Sequence, residues 1–279
     1  MSDLPPLPPR PEDGHKGTFG TLLIVGGSLQ MIGAPMLAAR SALRAGCGLV
    51  RVAMPQAVLP AALSLLPEAT GLGFQLDEDD PKRLADALDR CDAATVGPGL
   101  GDEPQADALL DVLLDSDLPL VIDADGLNHL ARRKAWRKRA APTVLTPHPG
   151  EMKRLLAHLP NWDDVPNNGE ARQRLAKDAA EMFGCVVLLK GQRTVIATQG
   201  RVHTNATGDV TLAKAGSGDV LAGLIGSLLA QGMTAFDAAV CGAHYHGLAG
   251  ERVGRAMTKR GGLAHEVADA LPHVMEVPE

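Results

Sequence analysis

The segment Ala213-Lys214-Ala215-Gly216-Ser217-Gly218-Asp219 runs straight into an apolar, Ala- and Leu-rich stretch from Val220 to Ala230. Two glycines let the backbone take positive φ and bring its N–H groups close to an oxyanion. Those groups fall in the first turn of a helix, where they lack intrahelical partners and the macrodipole leaves partial positive charge. A carboxylate at that spot can take a proton while a phosphoryl group rests on the amides. It can equally serve as a plain first-turn cap. Phosphate chemistry and helix capping are both open from this segment alone.

Other reactive residues follow apolar runs. Asp123 and Asp125 flank Ala124, a spacing that sends both acids to one side as the chain leaves a sheet. They suit a hard cation or a ribose, with Glu151 as a further acid reaching Mg²⁺ through water. The alternative is that Asp125 caps a helix starting at Gly126. His148 lies between Pro147 and Pro149, which hold it extended and present it to a ligand. No partner His or Cys sits at metal spacing, so ligation of a metal by His148 is disfavoured. Lys190, followed by Gly191, is either a point charge for a nucleotide phosphate or a solvated strand end. His244 and His246 sit in an apolar helical pattern and point to different faces, which reads as structural.

The glycines of Gly97-Pro98-Gly99-Leu100-Gly101 do not form Gly-x-Gly-x-x-Gly, and no Gly-x-x-x-x-Gly-Lys-[Ser/Thr] occurs. A Rossmann dehydrogenase and a P-loop enzyme are both disfavoured. Nucleic acid is disfavoured too: the net charge is −6 and aromatics are only 3%, leaving neither a basic surface nor stacking platforms. Cys47, Cys91, Cys185 and Cys241 are widely spaced, as expected of buried thiols in a reducing compartment. Nothing resembles a signal peptide or a spanning helix, so no membrane partner and a cytoplasmic location are expected.

The elements that must position these residues alternate in type. Short apolar runs at 21–25, 49–53, 93–96, 120–122, 143–145 and 186–189 read as buried strands, and 34–45, 56–66 and 105–114 read as helices. A hairpin over 194–198 and 202–204 turns at Gln199-Gly200. The remainder is helical, over 220–230, 235–253 and 264–274, and 160–169 reads as a surface loop. This pattern predicts an α/β fold, with a mostly parallel central sheet and helices on both faces. The Gly-rich and polar segments then gather along the rim where strand C-termini meet their loops. Residues 1–13 are expected to be a flexible, Pro-rich tail, and residues 14–279 one domain.

In this order, the segments at His15–Gly20, Gly26–Ser28, Gly33–Gly46, Gly97–Gly101, Asp123–Asn128, Thr146–Glu151, Lys190–Thr194 and Ala213–Gly223 resemble the ADP-dependent NAD(P)H-hydrate dehydratases, a branch of the ribokinase-like superfamily. The resemblance implies a ribokinase-like three-layer sandwich. It implies ADP-dependent dehydration of the S-epimer of hydrated NAD(P)H, releasing AMP and phosphate, as metabolite repair by a carbon–oxygen lyase. Carried over residue by residue, Asp219 would be the catalytic base and also contact substrate. Ala39, Gly101 and His148 would touch the hydrate. Lys190, Gly191, Gln192, Arg193, Thr194, Gly216, Ser217 and Gly218 would bind the nucleotide. Mg²⁺ as cofactor, a homotetramer and a separate epimerase are also implied. Where many relatives have Asn-Pro-Gly, this chain has Asp209-Val210-Thr211, which leaves that loop's shape open. A small-molecule kinase of the same superfamily and a non-catalytic nucleotide sensor are the competing readings.

Overall fold

In the computed structural model, which describes residues 4–103, 105–133, 138–158 and 161–275, the strands form one sheet whose residues alternate between two apolar layers. The strands are β1 (Thr21–Val25), β2 (Leu49–Pro55), β3 (Thr70–Phe74), β4 (Ala93–Val96), β5 (Leu120–Ile122), β6 (Thr143–Leu145), β7 (Val186–Leu189), β8 (Val195–Thr198) and β9 (Arg201–Thr204). Their spatial order is β3-β2-β1-β4-β5-β6-β7-β8-β9. β1 to β7 pair in parallel, and β8 and β9 are antiparallel additions at the edge.

Leu22 and Ile24 of β1 face a core shared with α1 (Gly33–Arg44), α2 (Leu59–Leu63), α8 (Ser217–Ala230), α9 (Ala235–Gly261) and α10 (Ala264–Ala270). Leu23 and Val25 face the opposite core with α3 (Asp80–Leu88), α4 (Gln105–Asp115), α5 (Ala124–Ala131), α6 (Pro149–Leu155) and α7 (Gly169–Phe183). The result is three layers, with apolar strands buried on both faces as a parallel sheet requires. Among the described residues no helix is long and apolar enough to cross a membrane.

Several expectations shift. β3, α3 and α7 lie outside the predicted elements; β3 contains two glycines in five residues, and its apolar signal is correspondingly weak. The helix expected over 56–66 shrinks to Leu59–Leu63. The loop expected over 160–169 lies partly outside the described residues. The segment expected to be a tail lies along the domain from residue 4. Leu4 and Leu7 pack on the first core, Cys241 Sγ approaches the Pro5 carbonyl at 3.3 Å, and the Arg10 guanidinium stacks 3.9 Å from the Phe19 ring centre. Proline-rich chain has little conformational freedom to lose on docking, so two leucines and one arginine suffice to lay it down. The four cysteines are free, with Cys47, Cys91 and Cys241 buried.

The chain leaves β1 in one lateral direction toward β2 and β3, and later returns to the other side as β4. Loops after β1 and β4 therefore diverge and open a crevice at the sheet's C-terminal rim, where an open α/β sheet binds its ligands.

Candidate active site

Three strand ends, those of β5, β6 and β7, deliver charged groups to this rim. After β5, Asp123 is buried at 1% exposure; its Oδ1 accepts from Thr146 Oγ1 at 2.7 Å and from Lys190 Nζ at 2.7 Å. Thr146 follows β6, and Lys190 follows β7. Lys190 Nζ also lies 3.6 Å from Glu151 Oε2. Burial alone would lower the lysine's pKa, but Asp123 and Glu151 reverse that and raise it, so the ammonium stays charged. Lys190 is thus the largely buried cation of an acidic cluster and not a solvated strand end.

The Gly216 turn sits over that cluster. Gly216 takes φ 86° and opens α8, as the two-glycine segment predicts. A Cβ placed on Gly218 would lie 3.3 Å from Lys190 Nζ and 3.8 Å from Asp123 Oδ2, so the first turn of α8 faces the ion pair with little to spare. Asp219 occupies that turn, partly buried. Burial first, then the charge of Asp123, push its carboxyl up to about 7; Lys190 pulls it back, while Asp125 and Glu151 add to the rise. A carboxylate half ionised near neutral pH beside free helix amides is equipped to take a proton from a hydroxyl. Burial likewise raises Glu151 above the usual carboxylate range.

Asp125 does not cap a helix beginning at Gly126. Asp123 holds the N-cap position of α5, with its carboxylate turned to Lys190, and Ala124 between the two acids takes φ 47°. That left-handed backbone is unusual for a residue with a Cβ, and it turns the two carboxylates to different partners. Asp125 Oδ2 accepts from the Gly101 amide at 2.9 Å, which ties α5 to the loop after β4. In that loop Gly97 takes φ 120°, and a Cβ there would collide with the Asp123 carbonyl at 1.8 Å. Glycine is what lets the two loops meet.

His148 caps α6. Its Nδ1 accepts from the Gly150 and Glu151 amides at 2.9 and 3.2 Å, so Nε2 carries the proton and points toward Glu151 Oε1 at 3.3 Å. The ring is half exposed, so a ligand can still reach it. The Glu151 carboxylate in turn accepts from the His148 amide at 2.7 Å. Gly191 to Thr194 form the turn into β8, with Arg193 at φ 57° and Thr194 Oγ1 donating to the Gly191 carbonyl. The structure brings together Asp123, Glu151, Lys190 and Asp219, with Asp125, Gly101 and His148 at the edge. It does not bring Ala39, which is fully buried inside α1.

Three supporting residues are not apparent from the sequence. His129 is buried; its Nε2 meets the Gly101 carbonyl at 3.0 Å and its Nδ1 meets Asp107 Oδ1 at 2.9 Å. Its place one turn beyond Asp125 on the same helix is a usable signal. Arg172 of α7 donates to the Lys190 carbonyl at 2.7 Å and the Pro166 carbonyl at 2.9 Å, bracing the Lys190 turn. His246, expected to be structural, lies 3.2 Å from Ser217 Oγ, and burial lowers its pKa to about 4, so it stays neutral beneath the α8 amides. Nothing in the sequence pattern links residues so far apart. Among the described residues, no group of three or more His, Cys, Asp or Glu is arranged to hold a metal on its own.

Comparison with known proteins places the chain in a family. The NAD(P)H-hydrate dehydratase family profile matches residues 22–273. The chain is 41% identical to the bifunctional NAD(P)H-hydrate repair enzyme Nnr of Moorella thermoacetica, covering 96% of this chain and 52% of that protein. It is 42% identical to the ADP-dependent (S)-NAD(P)H-hydrate dehydratase of Neisseria meningitidis serogroup B, covering 94% and 86%. The chain thus spans about half the length of the bifunctional relatives. A crystal structure of the Bacillus subtilis ADP/ATP-dependent NAD(P)H-hydrate dehydratase, co-crystallised with ATP and Mg²⁺, superposes with TM-score 0.82 at 34% identity, covering 98% of each chain. Together these establish the ribokinase-like three-layer fold, and the chain belongs to the NAD(P)H-hydrate dehydratase family.

Proposed function

We propose that this chain dehydrates the S-epimer of hydrated NADH or NADPH at the expense of ADP, regenerating the reduced cofactor and releasing AMP and phosphate. The observation that carries this reading is Asp219, with a carboxyl near pH 7, set on the first turn of α8 above the Lys190–Asp123 pair. The substrate hydroxyl attacks the terminal phosphorus of ADP, and its proton passes to Asp219 as AMP departs. The α8 amides from Gly216 to Gly218 meet the charge on the transferred phosphoryl group. The nitrogen lone pair of the hydrated ring then expels phosphate, a far better leaving group than hydroxide. Loss of a proton from the adjacent carbon restores the double bond. Lys190 to Thr194 bind the nucleotide, and Gly101 and His148 contact the hydrate at the opposite edge; a contact at Ala39 would need α1 to open.

Three carboxylates around Lys190, those of Asp123, Glu151 and Asp219, would suit a divalent cation held mostly by nucleotide phosphates and water, with Glu151 and Asp123 as its protein anchors. When bound, that ion neutralises phosphate charge. The family's ADP dependence, a homotetramer, a separate epimerase, a cytoplasmic location and a single domain, with the segment from residue 4 laid along it, belong to the same proposal.

The test is hydrated NADH with ADP or ATP and Mg²⁺, followed by recovery of NADH absorbance. Regenerated NADH with stoichiometric phosphate, and AMP formed from ADP or ADP formed from ATP, supports dehydration. A stable phosphorylated product would point instead to a small-molecule kinase, and nucleotide binding without turnover to a sensor.

A further inference from the structure

The crevice at the rim widens into a cavity of about 1130 Å³ whose wall reaches Gly101 and Asp125, at the edge of the Asp219 cluster. Its walls differ in chemistry. Phe74 and Leu76 at the end of β3 and Leu100 after β4 make part of the wall apolar, and Leu29 and Met31 stand 66% and 43% exposed at the mouth. On the other side α5 sends Asp125, Asn128 and Arg132 into the cavity at i, i+3 and i+7, the spacing of one helical face. Asp125 marks the end near Asp219, whose basicity it raises, and Arg132 marks the far end. Arg154 of α6 joins the same wall, its Nε donating to Asn128 Oδ1 at 2.8 Å.

We infer that Arg132 and Arg154 form the subsite for the diphosphate bridge of the hydrated dinucleotide; this rests on the dehydratase proposal above. The hydrated ring carries no charge and suits the Asp125 end. The bridge is dianionic, and two guanidinium forks match its oxygens in geometry and charge. Asp102 and Glu103 share the rim, and Arg132 Nη2 is paired with Asp102. That carboxylate is 77% exposed, and an exposed pair is a weak rival for a phosphate arriving with two more oxygens. The Arg132–Asp102 pair therefore holds the guanidinium at the mouth until substrate replaces the carboxylate.

The test compares wild type with the Arg132→Ala/Arg154→Ala double variant on hydrated NADH, hydrated NADPH and hydrated reduced nicotinamide mononucleotide, which lacks the bridge. The variant should raise KM for hydrated NADH by about 10- to 100-fold, with kcat within about threefold and KM for ADP unmoved. Its preference in kcat/KM for hydrated NADH over the mononucleotide should fall by about tenfold or more. An unchanged preference, or a loss confined to hydrated NADPH with its additional phosphate, overturns the assignment. Wild-type protein inert toward all three substrates would overturn the dehydratase proposal instead. Both side chains are largely exposed, and an unchanged urea midpoint separates lost affinity from lost fold.

Discussion

Asp219→Asn should remove activity and add stability, and both effects follow from one perturbed group. Burial and the charge of Asp123 push the Asp219 carboxyl from 3.8 to about 7. At ~1.4 kcal/mol per pH unit, ionising it in the folded chain costs roughly 4 kcal/mol more than in the unfolded chain. Below about pH 4 the carboxyl is protonated in both states and the substitution is close to neutral. Between about pH 4 and 7 the unfolded chain ionises while the fold holds its proton, so wild-type stability falls as pH rises. Above about pH 7 the whole cost is present, and an uncharged amide of the same shape escapes it. Urea unfolding of both proteins should show a stability gap of about 1–2 kcal/mol at pH 5, widening to about 2–4 kcal/mol at pH 8 in favour of the variant. Turnover of hydrated NADH should drop by about 100-fold or more. In the wild type kcat/KM should fall about tenfold per pH unit on the acid side of about 7, because the protonated carboxyl cannot act as base. A variant gap that fails to widen between pH 5 and pH 8, or activity retained within about tenfold, would refute the role of Asp219 as a buried base.

Lys190→Met leaves Asp123 and Glu151 buried without their counter-charge and should cost about 3–5 kcal/mol in urea unfolding at pH 8, with a smaller loss near pH 5 as Glu151 takes up a proton. His246→Phe and Ser217→Ala should each lower kcat by about tenfold, and the double variant should lose little more than either single one, since both remove the same buried contact; additive losses would dissociate them. Gly223→Ala places a Cβ 2.0 Å from the Ala38 carbonyl where α8 crosses α1, and should lower stability by about 1–3 kcal/mol in thermal unfolding through forced separation of the two helices.

What can be read from the sequence, and what cannot, divides along physical lines. Strands β1, β4, β5, β6 and β7 are short, mostly apolar runs, buried on both faces, and each ends in Gly or polar residues, so composition alone exposes them. The segment over 70–74 carries a strand's geometry without a strand's residues, because β3 is an edge strand with small demands on its side chains. The α8 turn is legible because glycine placement is a backbone requirement and survives in any context. The pairing of Lys190 with Asp123 is not, since the two stand 67 positions apart and only the parallel order of β5, β6 and β7 sets their loops side by side. For the same reason His246 reads as filler: an imidazole in an apolar helix looks like core until the helix beside it proves to begin at Ser217.

The cluster also explains why its acids outnumber its bases. Each carboxylate facing Asp219 raises the energy of its ionised form, and in doing so raises its affinity for a proton. A lone Asp at a helix N-terminus would be stabilised by the macrodipole and hydrogen-bonding amides into a poor base. Asp123, Asp125 and Glu151 oppose that stabilisation, and burial does most. Lys190 limits the effect; without it the carboxyl would climb further and be protonated at the pH where it must act. In the proposed reaction the same charge excess would repel an incoming phosphate, and the α8 amides, Lys190 and an accompanying cation would offset it. Base strength and anion binding therefore pull the site in opposite directions, and the largely buried lysine, in contact with Asp123 and near Glu151, is where the two demands are reconciled.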